Sequence, residues 1–202
     1  GSPRTAPFRE AAKPFSMCPG REGVGEPITV MSSNPFVIKW DAGIANSGVS
    51  GMKVGFIGAG NMGGLLLMSL LEAGAFAASD AIVSTRTPAR AAMLAERFPG
   101  LTAARHNAQT ARESDILFLC VKPSDFREVA ADIASVLRPD QIVVSITSPI
   151  SIDLLEREFP AKIAKIIPSV VNASRRGITL LMFGRRLTAE DRALLTGLCA
   201  AV

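Results

Sequence analysis

Three glycines spaced as Gly58-x-Gly60-x-x-Gly63 are the residues of this chain whose types and spacing point most directly to chemistry. The apolar segment Lys53–Ile57 precedes them, and the apolar helical segment Leu65–Leu71 follows. In this context the first glycine permits a tight turn, the second lets a pyrophosphate approach the backbone, and the third lets the helix pack closely on the strand. The pyrophosphate would lie against the N–H groups at the positive end of the helix. The spacing therefore predicts a dinucleotide-binding site.

The end of the second predicted strand indicates which dinucleotide binds. In this fold an Asp or Glu at that position accepts hydrogen bonds from the adenosine ribose of NAD. Here the position reads Ser84-Thr85-Arg86-Thr87 and holds no acid. Hydroxyls and a guanidinium match a 2′-phosphate, because Arg offers several charge-assisted donors to an anion. The segment therefore predicts NADP(H), and the alternative is a solvated turn with an incidental arginine.

From residue 52 the pattern alternates short apolar strands with helices. The predicted strands are Lys53–Ile57, Ala81–Ser84, Ile116–Val121, Ile142–Ile146, Lys162–Ile167 and Ile178–Phe183. The predicted helices are 62–74, 88–98, 124–137, 151–158 and 188–200. Pro88 suits a first helical turn, while Ser124 and Thr188 suit N-caps. The pattern predicts an α/β fold with a doubly wound (Rossmann), mostly parallel sheet and helices on both faces.

Residues 1–51 differ in kind from the rest. They carry scattered Pro, Gly and Ser and show no sustained helical or strand period. We expect an irregular, flexible N-terminal extension here, which could also be a tag-derived leader or a misassigned start. Only Phe36–Trp40 resembles a short strand or a docking segment. The predicted domain is residues 52–202.

Composition excludes several function classes. The 202 residues are 48% hydrophobic and 20% charged, as in a folded protein. The net charge of +4 comes from scattered residues and forms no basic stripe, so no nucleic-acid partner is expected. Cys18, Cys120 and Cys199 show no metal-ligand spacing, and Cys120 and Cys199 look like core residues of a cytoplasmic protein. No apolar run is long enough for a membrane span.

Four further segments match a known family at the expected separations. They are Ser84–Thr87, Ser114–Pro123, Val144–Ile146 and Ile167–Pro168. Together with the glycine run, they resemble the N-terminal NADP-binding domain of the pyrroline-5-carboxylate reductase family. The most specific segment is Val121-Lys122-Pro123, since many Rossmann enzymes share the glycines. The resemblance extends from Met52 to Val202.

The resemblance implies a set of cofactor-binding residues. They are Gly58, Ala59, Gly60, Asn61, Met62, Gly63, Thr85, Arg86, Asn107, Cys120, Val121, Lys122 and Pro123, with Thr147, Ser148 and, on the substrate side, Ser169 placed to orient the nicotinamide or the substrate. Asn107 could instead cap the helix that follows it, and Lys122 could be a solvated charge at a strand end. His106 is expected on the surface near a helix start. No catalytic residue and no metal site is assigned.

Two segments depart from the family pattern where it faces the nicotinamide and the imine. The family usually has Ala-Ala-Gly after the fifth strand, where this chain has Thr147-Ser148-Pro149. At the sixth strand it usually has Met-Pro-Asn-Thr-Pro-Ala, where this chain has the segment Ile167–Asn172. These versions resemble the divergent late-competence ComER-like branch. Family members also carry a helical C-terminal dimerisation domain, which is absent from these residues, so we expect a homodimer only for a full-length protein.

Three functions remain open at this point. The resemblance implies an NADPH-dependent reductase that transfers hydride to a small cyclic imine, pyrroline-5-carboxylate or a relative. The altered strand ends favour instead an NADP-binding sensor or assembly module of the ComER-like type. A related dehydrogenase acting on another small molecule is the third.

Overall fold

The computed structural model describes residues 37–38, 49, 51–167 and 179–199. These residues form one sheet of eight strands, in the order β1-β8-β7-β6-β5-β2-β3-β4. The strands are β1 (Val37–Ile38), β2 (Val54–Ile57), β3 (Ala81–Ser84), β4 (Thr102–Ala104), β5 (Ile116–Leu119), β6 (Ile142–Ser145), β7 (Lys162–Ile167) and β8 (Thr179–Phe183). Strands β2 to β7 are parallel, whereas β8 runs antiparallel to β7 and to β1.

Helices cover both faces of this sheet. They are α1 (Asn61–Glu72), α2 (Pro88–Arg97), α3 (Asn107–Glu113), α4 (Phe126–Ile133), α5 (Ile152–Glu158) and α6 (Ala189–Cys199), with short 3₁₀ turns at Ala78–Asp80 and Pro123–Asp125. Buried residues of α1, α2 and α6 belong to one apolar cluster, and those of α3, α4 and α5 belong to a second. The predicted doubly wound, mostly parallel α/β architecture is confirmed.

The central strands supply side chains to both clusters in alternation. On β2, Phe56 belongs to the α1 side and Ile57 to the α4 side. On β5, Phe118 lies between Leu117 and Leu119, which both belong to the α4 side. This period of two is the geometry of an extended chain. The rings of Phe56 and Phe118 stack with centroids 4.7 Å apart, which fixes the two strands side by side.

One strand and one helix had no predicted range, although a helix start near His106 was expected. The strand β4 has three residues at the edge of the sheet, and its burial is limited to Ala104. The helix α3 has seven residues, of which only Thr110 and Ala111 are buried. Elements this short and this exposed carry no clear apolar period. They complete the sheet edge beside β3.

Several predicted boundaries shift in the structure. The strands expected to reach Val121 and Ile146 end at Leu119 and Ser145. The helix expected at 124–137 begins only at Phe126, because Pro123 starts a 3₁₀ turn, and it ends at Ile133. Ser124 lies inside that turn and donates to Asp125, so its assignment as an N-cap was wrong.

Other local predictions are confirmed. Pro88 opens α2 at its first turn. Before α6, the Thr188 hydroxyl accepts from the Asp191 N–H at 3.2 Å, and the Asp191 carboxylate accepts from the Thr188 N–H at 2.8 Å. This reciprocal pair is a capping box. Val37–Ile38 forms the short strand expected within Phe36–Trp40, paired with Leu180 and Thr179.

The proposed domain boundary at residue 52 stays a prediction. Most of residues 1–51 lie outside the described residues, as do 168–178 and 200–202. Ser169, predicted on the substrate side, lies within 168–178 and so outside the described residues.

Candidate functional site

The sheet reverses its strand order between β2 and β5. The chain continues from β2 outward to β3 and β4, whereas β5 is followed outward by β6 and β7. Loops at the carboxyl ends of the two strands therefore separate and leave a crevice, which is where this fold binds ligands. A cavity of about 860 Å³ occupies that position. Its volume lies within the range of small-molecule and cofactor sites.

The first glycine and the third are required by the backbone itself. Gly58 has φ +96°, a left-handed conformation that favours glycine, and its N–H donates to the Ser84 carbonyl at 2.8 Å. A Cβ on Gly58 would collide with the Cys120 carbonyl oxygen. A Cβ on Gly63 would collide with the Gly58 carbonyl oxygen and with the Cys120 Cβ. Helix α1 can therefore approach β2 and β5 closely, as the sequence predicted.

The second glycine faces the crevice. Gly60 is the N-cap of α1, lines the cavity, and a Cβ added to it would have no protein atom within 4 Å. The first intrahelical bond of this turn runs from Gly64 N–H to the Gly60 carbonyl at 2.8 Å. Earlier N–H groups of a helix point outward without intrahelical partners, and the first turn of α1 contains no acid. This end of α1 is therefore suited to an anion.

The loop after β3 supplies cations to the rim of the crevice. Thr85 and Arg86 line the cavity, and the Arg86 guanidinium lies 3.4 Å from the Asp125 carboxylate of the opposite wall. Arg90, on the first turn of α2, donates to the Ala59 carbonyl of the glycine loop at 3.3 Å. Two guanidinium groups thus stand beside the glycine loop.

A buried hydroxyl orients Asn107. Ser84, at the end of β3, is only 2% exposed, and its hydroxyl donates to the Asn107 Oδ1 at 2.9 Å. Helix α3 begins at Asn107 itself, and its N-cap residue is His106. The alternative in which Asn107 caps the helix was therefore wrong. The Ser84 contact fixes the amide, whose NH₂ group becomes the part able to donate to a ligand in the crevice.

The loops after β5 and β6 are joined to form the far wall. Thr147 is buried, and its hydroxyl donates to the Val121 carbonyl at 2.8 Å. The Thr147 N–H donates to the Ser145 hydroxyl at 3.2 Å. Ser148 and Pro149 are exposed and line the cavity. The Thr147 hydroxyl is thus committed to the backbone, and Ser148 is the polar side chain of this segment that faces the crevice.

Cys120 lies beneath the glycine loop, directly after β5. Its side chain approaches Gly63, and its N–H donates to the Ile57 carbonyl at 2.8 Å. Burial raises the pKa of the Cys120 thiol well above its ordinary value. Cys120 as a whole is only partly buried, lines the cavity, and packs against the glycine loop near Gly63. Cys199 is fully buried, and burial raises the pKa of its thiol to about 12.

Both basic and acidic side chains line the crevice. Sequence reasoning found Arg86 and Lys122 but missed Arg90 and Arg105, which also line it. It also missed three carboxylates. Asp125, Glu128 and Asp132 line the opposite wall, at spacings that place them on one face of α4 and the turn before it. The spacing of three and four residues was a visible signal, but it is equally typical of a solvated helix face.

Nearly all the predicted cofactor residues come together here. Those that line the cavity are Gly58, Gly60, Asn61, Met62, Gly63, Thr85, Arg86, Asn107, Cys120, Val121, Lys122, Pro123, Thr147 and Ser148. Ala59 does not, because it is 2% exposed and packs into the core. His106 lines the cavity and is exposed at the start of α3, as predicted.

Two features are absent from the described residues. None of their helices combines the length and the apolar character needed to cross a membrane. Within the same residues, no group of three His, Cys, Asp or Glu side chains is arranged to hold a metal ion.

Comparison with known proteins agrees with this geometry. Residues 53–149 match a family model described as NADP oxidoreductase, coenzyme F420-dependent. The chain is 36% identical over 133 residues to ComE operon protein 4 of Bacillus subtilis, covering 66% of this chain and 49% of that protein. It is 34% identical over 143 residues to the pyrroline-5-carboxylate reductase of Escherichia coli, covering 70% and 53%. The predicted family resemblance is confirmed.

Solved structures of pyrroline-5-carboxylate reductases share the fold. The enzyme from Coxiella burnetii superposes with a TM-score of 0.70 at 23% identity, over 75% of this chain and 56% of that one. The enzyme from Plasmodium falciparum, determined with NADP bound, gives a TM-score of 0.65 at 20% identity, over 75% and 55%. The chain spans about half the length of the curated relatives it matches.

Proposed function

We propose that the crevice binds NADP(H) and that the protein is an NADPH-dependent reductase of the pyrroline-5-carboxylate reductase type. The observation that carries this is the joint placement of the open Gly60 N-terminus of α1 and the Arg86 and Arg90 guanidinium groups at one rim. A pyrophosphate fits the first, and a 2′-phosphate fits the second. The P. falciparum relative, solved with NADP bound, supports the same cofactor.

The remaining lining residues suit the rest of such a cofactor. We place the adenosine ribose beside Asn107, whose NH₂ group can donate to a hydroxyl. The nicotinamide half then extends along Cys120–Pro123 toward the wall formed by Thr147 and Ser148. Ser169, which lies outside the described residues, stays a proposed contact on that side.

The reaction we propose is hydride transfer to the carbon of a C=N bond in a small cyclic imine, pyrroline-5-carboxylate or a relative. The nicotinamide supplies the hydride when it is bound. Residues of this chain bind and orient the cofactor, and none of the described residues is assigned as a general acid. Because the chain spans about half the length of the curated relatives it matches, the activity, the homodimer and a cytoplasmic location are proposed for the whole protein.

One observation favours a second candidate. The segment Thr147-Ser148-Pro149 departs from the family pattern, and ComE operon protein 4 of Bacillus subtilis is 36% identical to this chain. An NADP-binding protein that acts as a sensor or assembly module would keep the cofactor rim and dispense with the imine pocket. Both candidates share the cofactor and differ in turnover.

One measurement tests the cofactor that both candidates share, and a second separates the two candidates. NADPH should raise the melting temperature of the protein more than NADH at equal concentration, because a ligand that binds only the folded state stabilises it. Equal shifts, or none, would rule out the NADP assignment. Oxidation of NADPH by the whole protein in the presence of pyrroline-5-carboxylate, followed by absorbance, then tests for turnover. Tight NADPH binding without oxidation of any cyclic imine would favour the sensor.

A further inference from the structure

Lys165 is a cation inside an apolar strand, and the proposed function so far gives it no role. It lies on β7 between the buried residues Ala164 and Ile166, and it is 5% exposed. Among the described residues, Lys165 is the one charged residue classed as buried. A buried ammonium group is costly unless polar atoms replace its water. Its partners therefore indicate what it does.

Among the described residues, those partners are two backbone carbonyls of one loop. The Lys165 Nζ donates to the Ser148 carbonyl oxygen at 2.5 Å and to the Ile150 carbonyl oxygen at 2.6 Å. None of the ion pairs in the described part of the chain includes Lys165. Burial lowers the pKa of the Lys165 amine, since its partners are dipoles and not carboxylates. The ammonium group therefore holds the backbone of this loop in place.

The loop that it holds is the far wall of the crevice. Ser148 lies between Thr147 and Pro149, and all three line the cavity. The Ile150 N–H donates to the Thr147 carbonyl at 3.2 Å, which closes a turn; Lys165 binds one carbonyl inside this turn and one on its last residue. The Thr147 hydroxyl connects this turn to the Val121 carbonyl of the β5 loop. A single side chain on β7 therefore fixes a wall assembled from β5 and β6.

We infer that Lys165 is a positioning residue that sets the affinity of the crevice for the nicotinamide half of the dinucleotide, through the Thr147–Ile150 turn. This inference rests on the proposed function, because it requires that NADP(H) occupies the crevice. The loss of Lys165 should therefore weaken binding of the nicotinamide half and leave binding of the adenosine half unchanged. The adenosine half meets Arg86, Arg90 and Asn107 on the opposite side of β2, which Lys165 does not contact.

The test compares two ligands on one protein. NADPH contains both halves, and adenosine 2′,5′-bisphosphate contains only the adenosine half. In Lys165→Met the two carbonyls lose their donor, and we expect the Kd of NADPH to rise about tenfold by fluorescence titration. The Kd of adenosine 2′,5′-bisphosphate, measured by calorimetry, should change less than about twofold, since independent sites contribute separately. Lys165→Arg keeps donors in place and should recover most of the NADPH affinity.

Lys162→Met is the matched control, because Lys162 lies on the same strand but pairs with Asp191 at 2.8 Å. It should leave the ratio of the two Kd values unchanged. If Lys165→Met does not fold, Lys165→Ala, which also removes the donor but leaves room for water at the two carbonyls, replaces it. An unchanged ratio in whichever variant folds would overturn the role of Lys165. Failure of the wild-type protein to bind either ligand would instead overturn the proposed function.

Discussion

The Arg86 guanidinium lies 3.4 Å from the Asp125 carboxylate, so an ion pair joins the two walls of the crevice at its rim. The other Asp125 oxygen accepts from the Ser124 hydroxyl at 2.9 Å, which keeps the carboxylate in place. Because the Arg86 side chain is 81% exposed, the pair contributes at most about 1 kcal/mol. A phosphate could readily displace such a partner, yet the fixed carboxylate would still repel it.

Neutralising Asp125 should therefore strengthen NADPH binding. In Asp125→Asn, we expect the Kd of NADPH to fall about three- to fivefold at low salt, which is the scale of one exposed charge pair. The Kd of NADH, which lacks the 2′-phosphate, should change little. Fluorescence titration of both cofactors provides the comparison, and Glu128→Gln, on the same wall, is the control. A decrease of equal size for NADPH and NADH would mean that Asp125 does not oppose the phosphate.

Reversing the charge at residue 86 should weaken the binding of NADPH more than that of NADH. Arg86→Glu replaces the phosphate's donor with a repelling carboxylate, and we expect NADPH affinity to fall at least about tenfold while NADH affinity changes less. The measurement is the ratio of the two Kd values. Arg127→Ala, which removes an exposed arginine of α4 that does not line the cavity, should leave this ratio unchanged. An equal loss of affinity for NADPH and NADH would show that Arg86 does not bind the 2′-phosphate.

The glycines offer a test that separates binding from folding. A side chain at Gly60 would project into the crevice without meeting protein, so Gly60→Val should abolish NADPH binding with a stability change below about 1 kcal/mol. At Gly63 even a Cβ meets the Gly58 backbone, so Gly63→Ala should destabilise the fold by about 1–3 kcal/mol. Urea denaturation and NADPH titration of both variants check this. Retained binding in Gly60→Val would place the dinucleotide elsewhere.

Local features of the site could be read from the sequence. Gly58, Gly60 and Gly63 follow directly on a strand, and the Thr85 and Arg86 pair follows directly on the next one, so their positions depend on few residues. Parallel strands then bring their carboxyl ends to one edge of the sheet. That rule is consistent with Lys122 and Thr147 lying beside the glycines, which the family resemblance had implied.

Contacts that depend on how elements pack could not be predicted in this way. Asp125 meets Arg86 only because α4 lies opposite the β3 loop, and Arg90 meets the Ala59 carbonyl only because α2 lies beside it. Lys165 looked like one residue of an apolar strand, since its role depends on a loop 15 to 17 residues earlier. For helix α3, which carries Asn107, only a start near His106 was expected, because a helix that buries so little shows no clear apolar period.

Asp191 should make the stability of the fold depend on acid pH. Burial acts to raise the pKa of its carboxyl, but hydrogen bonds from Lys162 and Thr188 outweigh burial and lower it below the ordinary value. A carboxyl whose pKa is lowered by folding stabilises the folded state above its unfolded pKa, and that contribution is lost as the pH falls through the folded pKa. Asp191→Asn should therefore cost about 1–2 kcal/mol at pH 7, from the capping box and the Lys162 pair together.

The difference in melting temperature between Asp191→Asn and the wild type should shrink as the pH is lowered from 7 toward 3, because the wild-type carboxyl then becomes neutral as well. Thermal denaturation across that range measures it. Glu96→Gln, which neutralises an exposed carboxylate of α2, should give a small and nearly constant difference. A difference for Asp191→Asn that persists unchanged at pH 3 would show that shape, and not charge, stabilises the start of α6.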